Sequence, residues 1–187
     1  MAESTSNTPD IPLTTGRKLP VSEREFVVLI AALMALNALA IDIMLPALDD
    51  MSVAFSMVNP NDQQIVIYAY VLGFGIPQLV WGPLSDSFGR KPILFFALAG
   101  YSLMGLACIF APNFAILIVM RFLQGVFASA CRVVAISMVR DIFVGRGMAR
   151  IMSLVMTIFM IVPILAPSIG QVVLYVAPWQ WIFAALT

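Results

Sequence analysis

Asp42 and Arg121 are the residues in this 187-residue chain best suited to chemistry. Each stands inside an apolar run long enough to cross a bilayer. A charge near the middle of such a segment costs about 2.5–3.5 kcal/mol on insertion scales, so it faces water or a partner. Asp42 lies about one helical turn from the end of its run, and Arg121 about two turns from the end of its own, so their depths agree to within roughly 6 Å. They can form an ion pair, or one can bind what the other releases. A carboxyl that alternates between apolar surroundings and the neighbourhood of a cation loads and releases a proton. That is the role expected of Asp42, with Arg121 as its cationic counterpart. A static pair that merely holds two helices together is the competing explanation.

Arg132 follows Arg121 on the same run. Eleven steps of about 100° return to within about 20° of the same face, roughly 16 Å further along. Either both guanidiniums line a water-filled cavity, or Arg132 reaches toward the membrane surface. Asn37, Tyr70 and Gln124 are expected to line the same cavity as Arg132. Two guanidiniums make such a pathway less purely cation-selective, which leaves zwitterionic or neutral substrates open.

The composition removes several other chemistries. Histidine is absent, which excludes Ser-His and Cys-His catalysis and histidine-based metal sites. Cys108 and Cys131 both sit in apolar runs, where small buried side chains are the expected reading. No metal site, cofactor or catalytic residue is expected. Net charge is zero, so nothing points to nucleic acid. With 61% hydrophobic and 11% charged residues, the chain holds more apolar surface than one core can bury, and lipid must solvate much of it.

These residues need helices to position them. Residues 1–21 are polar and aperiodic and read as a flexible tail. Residues 22–187 divide into apolar runs at about 26–46, 65–83, 93–111, 114–139, 151–176 and a partial run at 179–187. Gly82–Lys91 is expected to be a sharp polar hairpin between the second and third runs, and 140–150 a second charged loop. Trp179 and Trp181 suit an interfacial belt. Eight of the ten bases fall before the first run and between the second and third or fourth and fifth runs. The positive-inside rule then puts the N-terminus and the Gly82–Lys91 hairpin in the cytoplasm.

Gly82, Leu84, Ser85, Asp86, Gly89, Arg90 and Lys91 match in order the signature loop of the major facilitator superfamily, and the hairpin resembles it; Ser87 departs from the usual base. Asp42-Ile43-Met44-Leu45-Pro46-Ala47 resembles the D-x-x-L-P-A segment of the Bcr/CflA group of drug:proton antiporters. Arg121-Phe122-Leu123-Gln124-Gly125 resembles the R-x-x-Q-G motif of facilitator helix 4, and Val139-Arg140-Asp141 a V-R-D segment of the same group. Pro163, Pro167 and Gly170 resemble the antiporter motif of helix 5, with Ala166 and Gln171 where glycine is usual.

The resemblance implies an all-α membrane protein, the N-terminal six-helix half of a twelve-helix fold cut within helix 6. It implies proton-coupled efflux of amphiphilic drugs or antibiotics across a bacterial inner membrane, driven by the proton gradient. It also implies that Gly82, Asp86, Gly89, Arg90 and Asp141 act as a conformational latch, with Arg90 pairing with Asp141. Asp86 would face a helix of the missing C-terminal half, and the helix 5 motif would pack there too. A facilitator for a sugar or other metabolite is the alternative. A non-transporting membrane subunit is a weaker one, because a passive scaffold has little use for buried charge.

Overall fold

The computed structural model describes residues 22–57, 59 and 61–187, so the tail expected over 1–21 lies outside the described residues. The chain forms α-helices joined by short turns: α1 (Glu23–Asp42), a 3-10 turn (Leu45–Ala47), α2 (Leu48–Ala54), α3 (Ile65–Gly75), α4 (Gln78–Phe88), α5 (Arg90–Ile109), α6 (Phe114–Ile142), α7 (Gly145–Val176) and α8 (Trp181–Ala185). Four helical stretches are long and apolar enough to cross a membrane, and the α3–α4 pair, bent by 44°, makes a fifth. Much of the outer surface is apolar, with Leu79 86% and Val176 85% exposed. A bundle with this outside belongs in lipid, as a multi-pass membrane protein.

Local chemistry sets the helix ends. Ser22 and Glu25 form a reciprocal cap at the start of α1, each side chain accepting from the other's backbone N–H at 3.3 and 2.9 Å. The Asn113 side chain accepts from the Ile116 N–H at 2.9 Å and starts α6. Proline explains two breaks. Pro46 has no N–H to give the Asp42 carbonyl, so α1 stops at Asp42 rather than running to 46. Pro77 likewise cannot donate to Gly73, and α3 ends at Gly75.

Two expected loops are helical. Gly82, Pro83, Ser85 and Asp86 lie inside α4, and the turn to α5 is Gly89 alone. Its φ of 91° favours glycine, which is why so short a hairpin closes here. Pro83 removes only the bond to Leu79, and the helix continues through it. The charged segment 140–150 is divided between the end of α6 and the start of α7, leaving only Phe143 and Val144 between them. Trp179 does not face lipid: it is buried, with its ring 5.7 Å from Phe55 and 6.1 Å from Phe183. Trp181 is exposed.

Helix α6 is the central post. It packs against α1, α3, α4 and α5, while α7 lies mainly on α1. Small buried residues on α6, among them Gly125, Ala128, Ser129 and Ala135, let its neighbours approach closely. The α3–α6 contact is the tightest. A Cβ on Gly73 would fall on the Phe122 carbonyl, and one on Gly125 would fall on the Tyr70 carbonyl and lie 2.9 Å from the Phe74 nitrogen. The two glycines thus clear the way for each other's helix. Gly125→Ala is expected to cost about 1–3 kcal/mol by overpacking and to lower the melting temperature in detergent. Gly75→Ala is the control, since a Cβ there has nothing within 4 Å. Equal melting temperatures for the two variants would contradict the close approach.

Candidate functional site

Arg121 is the largest fully buried side chain among the described residues, 1% exposed. Its position on the inner face of α6 turns the guanidinium toward α1, α3 and α8. One terminal nitrogen donates to Gln124 Oε1 at 2.8 Å, and the other donates to the Ala40 carbonyl at 3.3 Å. Ala40 lies in the last turn of α1, where carbonyls lack helical partners. The regular donor to it would be the Met44 N–H, which turns to Ile41 instead at 3.3 Å. Arg121 therefore caps the carbonyl end of α1, which is also the negative end of its dipole. The guanidinium carbon lies 4.7 Å from the Phe183 ring centre and 5.5 Å from that of Tyr70. Dipoles and ring faces surround this cation.

Asp42 is half-buried at the last position of α1, two residues beyond the carbonyl that Arg121 holds. The ion pair that their similar depths allow is not formed, and Asp42 has no salt-bridge partner among the described residues. The physical reason is the helix end itself: its unpaired backbone carbonyl takes the guanidinium first. Asn37, five residues earlier on α1, has a buried side-chain oxygen without a hydrogen-bond partner. Gln124 offers its oxygen to Arg121 and leaves its amide nitrogen unpaired.

Arg132 and Arg121 do look toward one helix. The Arg132 guanidinium lies 5.6 Å from the Phe74 ring centre, and Tyr70 and Phe74 stack one turn apart on α3. Among the residues proposed for the cavity, Tyr70 and Gln124 meet Arg121, and Arg132 sits further along the same aromatic ladder. Sequence reasoning missed Tyr101 and Phe183. Tyr101 is buried, and its hydroxyl, like that of Tyr70, has no hydrogen-bond partner. Its position near the middle of α5, away from either membrane surface, was the available signal. Phe183 gave none, because an aromatic residue in an apolar run is ordinary.

At the other end of α6 the charges pair. Arg90 Nε donates to Asp141 Oδ2 at 3.1 Å, and Arg90 Nη2 lies 2.6 Å from Asp86 Oδ1. Ser85, whose hydroxyl donates to the Gly82 carbonyl at 2.9 Å, receives a further Arg90 nitrogen. Gly89 makes this possible by starting α5 with Arg90 directly beside the end of α4. An open pocket of about 420 Å³ between α4 and α6 is lined by Gly82, Asp86, Arg90, Arg140 and Asp141, among others. Gly82 faces open space there.

Pro163, Pro167 and Gly170 lie within α7, which stays helical through both prolines. Pro163 is exposed and Gly170 is buried. The helix 5 motif, expected to pack on the other half of the fold, turns its glycine to α1 of this chain. A Cβ on Gly170 would fall on the Ile43 carbonyl and lie 2.9 Å from the Pro46 ring.

The sequence pattern described as Major Facilitator Superfamily matches residues 30–187. Among curated relatives, an "Uncharacterized MFS-type transporter YdgK" of Bacillus subtilis is 37% identical over 164 residues, covering 84% of this chain and 40% of the relative. A "Bicyclomycin resistance protein homolog" of Haemophilus influenzae is 29% identical, covering 87% of this chain and 40% of the relative. A "Multidrug resistance protein MdtL" of Escherichia coli is 34% identical over 127 residues, covering 67% and 32%. The chain thus spans about 40% or less of the length of these relatives. Matched over most of its length and built as a bundle of membrane-length helices around α6, the chain belongs to the Major Facilitator Superfamily.

Proposed function

We propose that this chain forms the N-terminal half of a proton-driven exporter of amphiphilic drugs or antibiotics in a bacterial inner membrane. The observation that carries the reading is a buried cation, Arg121, held at the carbonyl end of α1 beside an unpaired, half-buried acid, Asp42. Names of relatives that refer to multidrug and bicyclomycin resistance support the substrate class. The basic ends of α5, α6 and α7 support a cytoplasmic N-terminus and a cytoplasmic α4–α5 turn. The energy source is the proton gradient, and no cofactor is involved.

The mechanism is an exchange of partners. In the conformation described, Arg121 grips the Ala40 carbonyl, and Asp42 can take up a proton without disturbing an ion pair. When the bundle rocks against a second half, Arg121 moves from the carbonyl to the Asp42 carboxylate. The ion pair then favours the charged acid, and the proton leaves. A bound cationic substrate would expel the proton directly. Tyr70, Phe74, Tyr101 and Phe183 are buried in the conformation described; opened by the rocking movement, their ring faces would suit flat amphiphilic molecules, with breadth that follows from ring faces rather than from a fixed pattern of hydrogen bonds. A second reading, export of a zwitterionic or neutral metabolite, draws on Arg121 and Arg132 standing on one aromatic ladder.

The charged end acts as the latch. Arg90 ties α4 and α5 to α6, and Gly82 leaves room in the adjoining pocket for a helix from the other half. Asp86, largely exposed although paired, meets the positive N-terminal end of that helix.

In everted membrane vesicles from cells producing the protein, Asp42→Asn is expected to abolish substrate-induced proton movement while leaving dye binding in place. Undiminished coupling in that variant would overturn the role of Asp42. Asp86→Asn is expected to lower the outward-facing population, read by cysteine accessibility on both sides of the membrane, without altering which substrates are exported. Wild-type populations in that variant would count against the latch.

A further inference from the structure

Two motifs that are far apart in the chain meet at Gly170. Pro46 breaks α1 directly after Asp42, and the break is buried: Ile43 is 1% exposed and Met44 and Ala47 fully covered. The cover is α7. Gly170 lets that helix lie against the Ile43 carbonyl and the Pro46 ring, closer than any side chain would permit. Ala166, one turn earlier on α7, is also fully buried and continues the seam. Pro163 and Pro167 withhold two backbone donors in the turns leading to it, so α7 is locally soft just before the contact.

We propose that Gly170 is a positioning residue for Asp42: its contact with the Ile43 carbonyl fixes the break in α1 that presents the Asp42 side chain, and passes movement of α7 to that acid. Arg121 holds the same helix end from the opposite element, through Ala40. The end of α1 is thus clamped between α6 and α7, and a displacement of α7 moves Asp42 relative to Arg121. The functional consequence rests on Asp42 as the proton carrier; the geometric seam does not.

The test uses the full-length protein in membranes, with the free, buried Cys108 and Cys131 replaced by alanine. Asp42→Cys is labelled with a small water-soluble maleimide, with and without Gly170→Ala. The added methyl group must displace α7 or the α1 break, and the labelling rate is expected to change about fivefold or more. Gly75→Ala is expected to leave that rate unchanged. A reporter at the far end of the bundle, Ser87→Cys, is expected to label equally with and without Gly170→Ala. Should Gly170→Ala fail to accumulate, Pro46→Ala loosens the same seam without added bulk and is expected to change labelling at position 42. An unchanged rate at position 42, or an equal change at Ser87→Cys, would overturn the proposal.

Transport supplies a second arm. Gly170→Ala is expected to reduce proton-driven export when Asp42 is present and to add nothing in the Asp42→Asn background, whereas a purely structural defect would add. If Asp42→Asn alone retains full coupling, the proton-carrier reading falls, and the labelling result still decides the seam.

Discussion

A guanidinium taken out of water must be repaid by dipoles, and the arrangement around Arg121 follows from that demand. Its partners come from separate elements: the end of α1, Gln124 one turn along α6, Tyr70 on α3 and Phe183 on α8. None of them is an anion. A cation compensated only by dipoles and ring faces keeps affinity for a carboxylate, and the nearest acid in sequence to its backbone partner is Asp42. Such a cation ties α1, α3, α6 and α8 together in the arrangement described.

Glycine and proline divide the work of shaping the bundle. Glycines Gly73, Gly125 and Gly170 occur where one backbone lies on another, and each would clash if it carried a side chain. Without a strong hydrophobic force between helices in lipid, such close packing is a principal source of association. Prolines Pro46 and Pro77 occur where a helix must end or bend, and each frees a carbonyl that another group can use. The unpaired carbonyls at the end of α1 give Arg121 its place.

The two ends of α6 respond to different chemistry. At the α4–α5 turn, Arg90 joins Asp86 and Asp141 in a partly exposed ion cluster, which water and salt can weaken. At the opposite end, aromatic rings of Phe55, Phe114, Trp179 and Phe183 close over one another.

Much of this was legible in the sequence, because membrane helices announce themselves by length and composition. The apolar runs gave helices in the right order, and the charges of Asp42, Arg121 and Arg132 stood out against them. Helix ends were less legible: Gly82–Asp86 and the basic segment after Arg140 look like loops by polarity, yet they continue helices, because backbone hydrogen bonds tolerate polar side chains at a helix end. What no local pattern could decide is which surfaces meet. Similar depth left open whether Arg121 would pair with Asp42 or stand apart from it, and the crossing of α1 and α6, together with the break imposed by Pro46, delivers the guanidinium to the Ala40 carbonyl. Nor could the helix 5 motif announce that, with α7 seated on α1, its glycine would meet Ile43. Length, hydropathy and charge are properties of one segment and can be read there; the partner of a buried charge or of a glycine depends on the packing of two helices, which exists only once the chain has folded.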